Sequence, residues 1–124
     1  MTSTLKFIDA NIFIERWTNP KARDLIDSLD KGEYCTSTLV LAEVYHKLKL
    51  KEIKNVFDYV RTIMGALKVY EFYQTDLFNA MKNPVQININ DKIHIEVMKR
   101  NNASIIISYD KDFDKDKTIK REEL

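Results

Sequence analysis

The sequence has few of the residues that interrupt or cross-link a chain. It contains one cysteine, two glycines and two prolines among 124 residues. The single cysteine, Cys35, cannot form an internal disulfide, so we expect a protein of the reducing cytoplasm rather than a disulfide-stapled secreted domain. We find no linker and no low-complexity stretch, and the scarcity of glycine and proline predicts elements joined by short polar turns.

Long apolar runs and a strong net charge are also absent. No run approaches the roughly 20 residues of a membrane span, and residues 1–6 lack a signal-peptide pattern, so we expect no membrane contact. Twenty basic residues balance 19 acidic ones, for a net charge of +1. A composition of 44% hydrophobic and 31% charged residues is typical of a globular protein. We therefore expect residues 1–124 to form one domain.

Four acidic residues, in contrast, stand at the borders of apolar runs: Asp9, Glu43, Asp91 and Asp110. Carboxylates in such positions are costly to bury unless a cation accompanies them. A divalent cation is the usual partner of several gathered carboxylates. If these four share a site, the other 15 acids against 20 bases leave the rest of the chain at +5. An acidic site in a basic surface suits a nuclease, whose substrate backbone is negative.

Apolar spacing and turn residues predict alternating strands and helices. Strands are predicted at residues 5–8, 33–37, 67–72 and 104–108, with a weak one at 118–120; helices are predicted at 11–17, 20–31, 39–50, 53–64, 75–82 and 91–100. Asn19 and Thr38 are the expected N-caps, and Gly32 and Gly65 the expected helix stops. The alternation predicts an α/β three-layer sandwich with a mostly parallel central sheet flanked by helices.

The active site of such a sheet lies beyond the carboxyl ends of its strands, where all four acids could converge. Three or four carboxylates can hold one or two Mg²⁺ or Mn²⁺ ions for phosphodiester cleavage. Asp9 is the expected central ligand. Asn11 lies two residues further and could hydrogen-bond a ligand or a phosphate. Ser108, two residues before Asp110, could donate to a carboxylate.

Four segments resemble the motifs of PIN-domain ribonucleases, in the same order. They are Phe-Ile-Asp-Ala-Asn-Ile-Phe-Ile, Ser-Thr-Leu-Val-Leu-Ala-Glu-Val, Asn-Asp-Lys-Ile-His-Ile-Glu-Val and Ile-Ile-Ser-Tyr-Asp-Lys-Asp-Phe. The chain is similar in particular to the short VapC-type toxins of toxin–antitoxin pairs. This resemblance implies a cytoplasmic Mg²⁺- or Mn²⁺-dependent endoribonuclease that acts on RNA, forms a homodimer and is inhibited by a small antitoxin protein. It implies catalytic and metal-binding roles for Asp9, Glu43, Asp91 and Asp110, with Asn11 and Ser108 in support.

Several residues keep more than one interpretation. Asp112 could replace or supplement Asp110, and Lys92, where the family often has a small residue, is either an outward lysine or a cation that alters the site. We expect His46 and His94 to be structural or exposed, although His94 lies three residues after Asp91 on the same helix. Further expectations place Asp114 and Asp116 at the surface, a dimer contact around Val56, Tyr59, Val60 and Ile63, and either a solvated face or an RNA-guiding stripe at Lys47, Lys49, Lys51 and Lys54.

Three other functions compete with the toxin. A phospho-acceptor receiver domain has similar length and layering, but it would need paired acids after the first strand and an aspartate ending the third. A PIN fold could serve RNA processing without an antitoxin, or it could be a non-catalytic binding module. The presence of all four acids argues against the binding module, and the small size favours the toxin.

Overall fold

A central sheet of five short parallel strands organises the computed structural model, which describes residues 5–124. The expectation of no signal peptide in residues 1–6 therefore lies partly outside the described residues. The strands are β1 (Lys6–Ile8), β2 (Tyr34–Ser37), β3 (Lys68–Tyr70), β4 (Ile105–Ile107) and β5 (Lys120–Glu122), in the spatial order β3-β2-β1-β4-β5. All four pairings are parallel, and Phe7 of β1 lies opposite Cys35 of β2 and Ile106 of β4. The weak late strand is real but lies two residues further along the chain than predicted.

Within residues 5–124 six helices flank the sheet, which confirms the predicted three-layer sandwich. They are α1 (Ala10–Ile14), α2 (Pro20–Asp27), α3 (Thr38–Leu50), α4 (Val56–Ala66), α5 (Gln74–Lys82) and α6 (Ile89–Arg100). Short 3-10 helices lie at Glu15–Trp17 and at Lys111–Lys115. Helix α1 packs against α2 and α3, α3 packs against α4, and α5 packs against α6. None of the helices in the described residues is long and apolar enough to cross a membrane.

Successive strands are added first on one side of β1 and then on the other, although all of them run in the same direction. From β1 the chain winds outward through β2 to β3, and it returns to the other side of β1 as β4 and then β5. A crevice forms at the carboxyl ends of the strands at such a change of side, and ligands of open α/β sheets bind there. The order also differs from the 2-1-3-4-5 arrangement of receiver domains, which removes that competing interpretation.

The core fills both faces of the central strands. The side chains of Phe7, Ile8 and Ile106 are fully buried, as expected for parallel strands covered on two sides. Cys35 is also fully buried, and burial raises the pKa of its thiol to about 12. A thiol with so high a pKa carries no reactive thiolate at neutral pH, so Cys35 is a packing residue.

Several predicted helix boundaries are wrong, including those of α1, which ends at Ile14, and of α4, which begins at Val56. Helix α2 ends at Asp27, five residues before Gly32, and Gly65 lies inside α4 rather than after it. Neither glycine has a positive φ angle. Among the described residues, those with a positive φ angle are Glu52, Asn55 and Asn102. The N-cap of α3 is Ser37, whose Oγ accepts a hydrogen bond from the Val40 N–H, and not Thr38. The predicted cap at Asn19 is confirmed, and Asn102, just after α6, has a left-handed backbone conformation.

The predicted dimer surface on α4 is also wrong. Val56 and Ile63 are 3% and 1% exposed, and Tyr59 donates a hydrogen bond from its hydroxyl to the carbonyl oxygen of Phe13. These side chains therefore face the core of their own chain, because α4 is amphipathic and the sequence spacing does not say which partner its apolar face meets. The exposed apolar residues of α4 are Phe57 and Met64.

Candidate metal centre

Asp9 sits where β1 ends and α1 begins, and three hydrogen bonds fix its carboxylate. Oδ1 accepts from the Ala10 N–H at 2.8 Å, which caps α1. Oδ2 accepts from the Ser108 hydroxyl at 2.8 Å and from the Asn11 amide at 3.2 Å. Asp9 is 6% exposed, and this burial raises its pKa although His94 and the hydrogen bonds oppose the rise. The hydrogen bonds therefore hold the carboxylate in one orientation, and burial makes its ionised form unfavourable.

Ser108 connects the ends of two strands to Asp9. Its hydroxyl accepts hydrogen bonds from the Asn11 amide at 3.2 Å and from the Asp110 N–H at 3.0 Å, so its own proton is free for Asp9. Its backbone N–H donates to the carbonyl oxygen of Glu122 in β5, and its carbonyl oxygen accepts from the Arg121 guanidinium. The structure thus places both predicted supporting residues, Asn11 and Ser108, in direct contact with Asp9.

Asp91 is the third residue of α6, and its carboxylate joins the cluster from that helix. The Asn88 side chain caps the helix, accepting from the Asp91 N–H at 2.9 Å and donating to Asp91 Oδ2 at 2.8 Å. Burial raises the pKa of Asp91 to about 7, and the neighbouring carboxylates of Asp9 and Asp110 add to the rise. Asp110, the N-cap of the second 3-10 helix, therefore belongs to the same group of carboxylates.

Glu43 projects from the second turn of α3 into the same space. Its Oε2 accepts a hydrogen bond from the Asn90 amide at 3.3 Å, and its Oε1 lies 2.8 Å from Nε2 of His94. Burial works to raise the pKa of Glu43, but His94, Asn90 and the ammonium group of Lys47 outweigh it and lower the pKa. Glu43 is more accessible than His94, with about a quarter of its side chain exposed.

His94 has a place that sequence analysis did not anticipate. Its side chain is 1% exposed, contacts the ring of Phe7 and lies with Nε2 3.9 Å from Asp9 Oδ1. Ligand atoms of His94, Asp9 and Asp91 all lie within 4.8 Å of one another. The signal available in the sequence was the spacing: His94 follows Asp91 by three residues and so shares its helix face, between two buried isoleucines.

The remaining candidates of the loop and of α6 point away from the cluster. The Asp112 N–H donates to Asp110 Oδ1, but the Asp112 carboxylate pairs with Lys115 at 3.2 Å. Lys92 donates to the carbonyl oxygen of Asn83 at 2.7 Å and so braces the end of α5. In the same loop Asp114 is at the surface, as expected, whereas Asp116 is 4% exposed and accepts hydrogen bonds from Thr118, contrary to expectation.

The donor set of this cluster fits a divalent cation. Carboxylate oxygens and an imidazole nitrogen are ligands that Mg²⁺, Mn²⁺ and related ions accept in proteins. Three buried polar atoms lack a well-aligned hydrogen bond within residues 5–124: Glu43 Oε1 and both nitrogens of His94. Burial raises the pKa values of Asp9 and Asp91, and the crowding of neighbouring carboxylates adds to the rise while His94 opposes it. A cation among these residues would relieve the crowding and use the free atoms.

Comparison with known proteins gives a family and a fold. Residues 6–117 match the sequence model of the PIN domain. No sequence among curated proteins matches the chain. The fold is similar to a crystal structure of VapC20 from Mycobacterium tuberculosis, described as a sarcin–ricin-loop-cleaving toxin. That pair has 17% sequence identity and a TM-score of 0.71, and the match covers 87% of this chain and 92% of the other.

Two further structures show the same fold in complexes. VapBC2 from Rickettsia felis, bound to a promoter DNA fragment, has 15% identity and a TM-score of 0.73, with 97% of this chain and 98% of that chain covered. A toxin–antitoxin complex from Klebsiella pneumoniae has 14% identity and a TM-score of 0.70, with 92% and 94% covered. At these identities the similarity establishes the fold.

Proposed function

Because this chain belongs to the PIN-domain family, we propose that it is a metal-dependent endoribonuclease and the toxin of a toxin–antitoxin pair. The observation that carries the proposal is that the acidic residues gather at the crevice between β1 and β4, where the strand order changes side. They are Asp9, Glu43, Asp91 and Asp110. Such a cluster at such a place is what phosphodiester cleavage with a divalent cation needs. We assign residues 1–124 to one nuclease domain of the cytoplasm.

The cofactor we propose is Mg²⁺ or Mn²⁺, held by the four acids. When bound, such an ion supplies charge for the phosphate oxygens and lowers the pKa of water. Asp9 would be the central ligand, since its hydrogen bonds to Ser108 and Asn11 hold one orientation. Asp91 must lose its proton to become a ligand, because its pKa stands at about 7.

The substrate we propose is single-stranded RNA, which would approach over the open side of Glu43. Lys47 follows Glu43 by one helical turn and is exposed, and its positive charge helps to lower the pKa of the Glu43 carboxyl group. An ammonium group there can pair with a backbone phosphate beside the acidic cluster. The other lysines of the proposed stripe, Lys49, Lys51 and Lys54, are exposed as well. Their role in guiding RNA stays a prediction.

The partner we propose is a small antitoxin protein that places a basic side chain in the acidic cluster. VapBC complexes and a toxin–antitoxin complex share the fold of this chain. Arginine suits the role, since its planar guanidinium can pair with two carboxylate oxygens at once. We also keep the homodimer as a proposal, supported by exposed apolar side chains such as Phe57, Met64, Phe78 and Met81.

A cleavage assay with purified protein tests the proposal. We expect single-stranded RNA to be cut only when Mg²⁺ or Mn²⁺ is present, and EDTA to stop the reaction. Expression should inhibit growth, and co-expression of the product of a neighbouring small gene should relieve it. Cleavage that persists in EDTA would refute the metal mechanism. Cleavage without growth inhibition would instead favour the RNA-processing nuclease, and RNA binding without cleavage the binding module.

A further inference from the structure

His94 is buried in the acidic cluster without a hydrogen bond that compensates for its burial. Its side chain is 1% exposed, and neither ring nitrogen has a well-aligned partner within the described part of the chain. Nε2 lies 2.8 Å from Glu43 Oε1, but the ring N–H is not directed at that oxygen well enough for a hydrogen bond. The ion pair with Glu43 offsets part of the cost of burying this ring, but a buried polar group without a well-aligned hydrogen bond remains destabilising. A ligand at Nε2 would remove that penalty.

The position of Nε2 matches that of an atom in a shared coordination shell. Two ligands of one cation, each bonded at about 2.1 Å, are about 3 Å apart at a right angle and about 4 Å apart when opposite. Nε2 is 2.8 Å from Glu43 Oε1 and 3.9 Å from Asp9 Oδ1. Asp9, Asp91 and His94 also each offer a ligand atom within 4.8 Å of the others. The separations of 2.8 and 3.9 Å are close to those of neighbouring and opposite ligands, respectively.

We propose that His94 supplies a nitrogen ligand to the divalent cation held by Asp9 and Asp91, and that the site therefore prefers Mn²⁺ to Mg²⁺. The proposal rests on the metal centre of the proposed nuclease. Mg²⁺ prefers oxygen ligands and keeps several waters, whereas imidazole suits transition metals. A set of carboxylates alone would discriminate weakly between the two ions. One buried imidazole among them favours the transition metal.

Electron spin echo spectroscopy of bound Mn²⁺ tests the contact directly, in protein without a histidine tag. We expect the nitrogen-14 modulation of a coordinated imidazole in the wild type. The chain has two histidines, and the other, His46, is exposed. His46→Gln should keep the signal, which then assigns it to His94 even if variants at position 94 fold poorly. His94→Gln should lose it while circular dichroism shows an intact fold.

Titration calorimetry with Mn²⁺ and with Mg²⁺ tests the preference. Loss of the ligand in His94→Gln should weaken Mn²⁺ binding at least about tenfold. Mg²⁺ binding should weaken much less, so the ratio of the two dissociation constants should approach one. His46→Gln should retain the wild-type ratio. Absence of nitrogen modulation in the wild type, or an unchanged ratio in His94→Gln, would overturn the proposal.

The two proposals can fail separately. Metal-dependent RNA cleavage without nitrogen modulation would leave the nuclease intact and remove His94 from the coordination shell; His94 would then only neighbour Glu43. Nitrogen modulation in a protein that cuts no RNA would retain the ligand assignment and refute the nuclease. Both readouts use the full chain, and neither requires knowledge of the natural RNA target.

Discussion

Replacing Asp91 by asparagine should stabilise the metal-free protein at neutral and alkaline pH. The pKa of Asp91 rises from its ordinary value of 3.8 to about 7, first because it is buried and then because Asp9 and Asp110 are near. Asparagine resembles the protonated acid in shape, can still accept the hydrogen bond from Asn88, and carries no charge at any pH. The variant therefore removes the cost of ionising this position.

The sign of the pH dependence follows from proton binding. Between about pH 4 and pH 7 the folded protein retains a proton on Asp91 that the unfolded chain has released. The folded state then binds more protons, so the free energy of unfolding of the wild type falls as pH rises through this window. Above pH 7 both states are ionised and the loss is complete. Near pH 4 the wild type and Asp91→Asn should be equally stable as far as this position is concerned.

The magnitude follows from the size of the window. At about 1.4 kcal/mol for each pH unit, the full window would correspond to about 4 kcal/mol. The cluster opens to solvent beside Glu43, whose side chain is 27% exposed, so water screens part of this energy. We expect Asp91→Asn to be more stable than the wild type by about 2 kcal/mol at pH 8. For a chain of this size that corresponds to roughly 6–10 °C in melting temperature.

Urea denaturation in EDTA at pH 4.5, 6 and 8 measures the effect, with Asp24→Asn as the control. Asp24 lies on the exposed face of α2, so that variant should follow the wild-type curve at every pH. Addition of Mn²⁺ at pH 8 should stabilise the wild type by mass action and reverse the order of the wild type and Asp91→Asn. A variant no more stable than the wild type at pH 8 in EDTA, or an advantage that does not shrink toward pH 4.5, would refute the reasoning.

The other predictions concern cleavage, RNA binding and the fold. Asp9→Asn should abolish metal-dependent RNA cleavage with the circular dichroism spectrum retained, whereas Asp112→Asn, whose carboxylate pairs outward, should keep most of the cleavage rate; equal activities would remove Asp9 from the site. Lys47→Ala should weaken RNA binding and reduce the slope of its salt dependence by about 1, and Lys49→Ala should change the slope less. Asn19→Ala removes the cap of α2 and should lower the free energy of unfolding by about 1 kcal/mol in urea denaturation; an unchanged midpoint would contradict that role.

The sequence predicts the layers of this fold well because alternating apolar segments have few ways to pack. The three consecutive isoleucines of β4 mark a strand covered on both faces, and it lies beside β1 at the centre of the sheet. The helix boundaries at Gly32 and Gly65 were wrong because a glycine permits a left-handed residue without requiring one. Three other residues, Glu52, Asn55 and Asn102, hold those conformations instead.

The site was predictable to the extent that its members follow strands directly. Asp9 and Ser108 come from the ends of β1 and β4, and neighbouring parallel strands bring their carboxyl ends together. His94 could not be placed in the same way, since its position depends on how α6 is rotated against the sheet. The dimer surface was wrong for the same reason: the apolar face of α4 meets its own chain, where Tyr59 bonds to Phe13.

The edge strand β5 sets a limit on how long the site stays assembled. Ser108, which orients Asp9, is held from behind by the Glu122 carbonyl oxygen and the Arg121 guanidinium of β5, a three-residue strand with only β4 beside it. Edge strands of this kind open locally at a much smaller cost than global unfolding. Each such opening frees the Ser108 backbone and loosens the Asp9 carboxylate while the core stays intact. The exchange rate of the Ser108 amide hydrogen would therefore report how often β5 detaches from β4. A molecule that displaces β5 would inactivate the site without unfolding the protein.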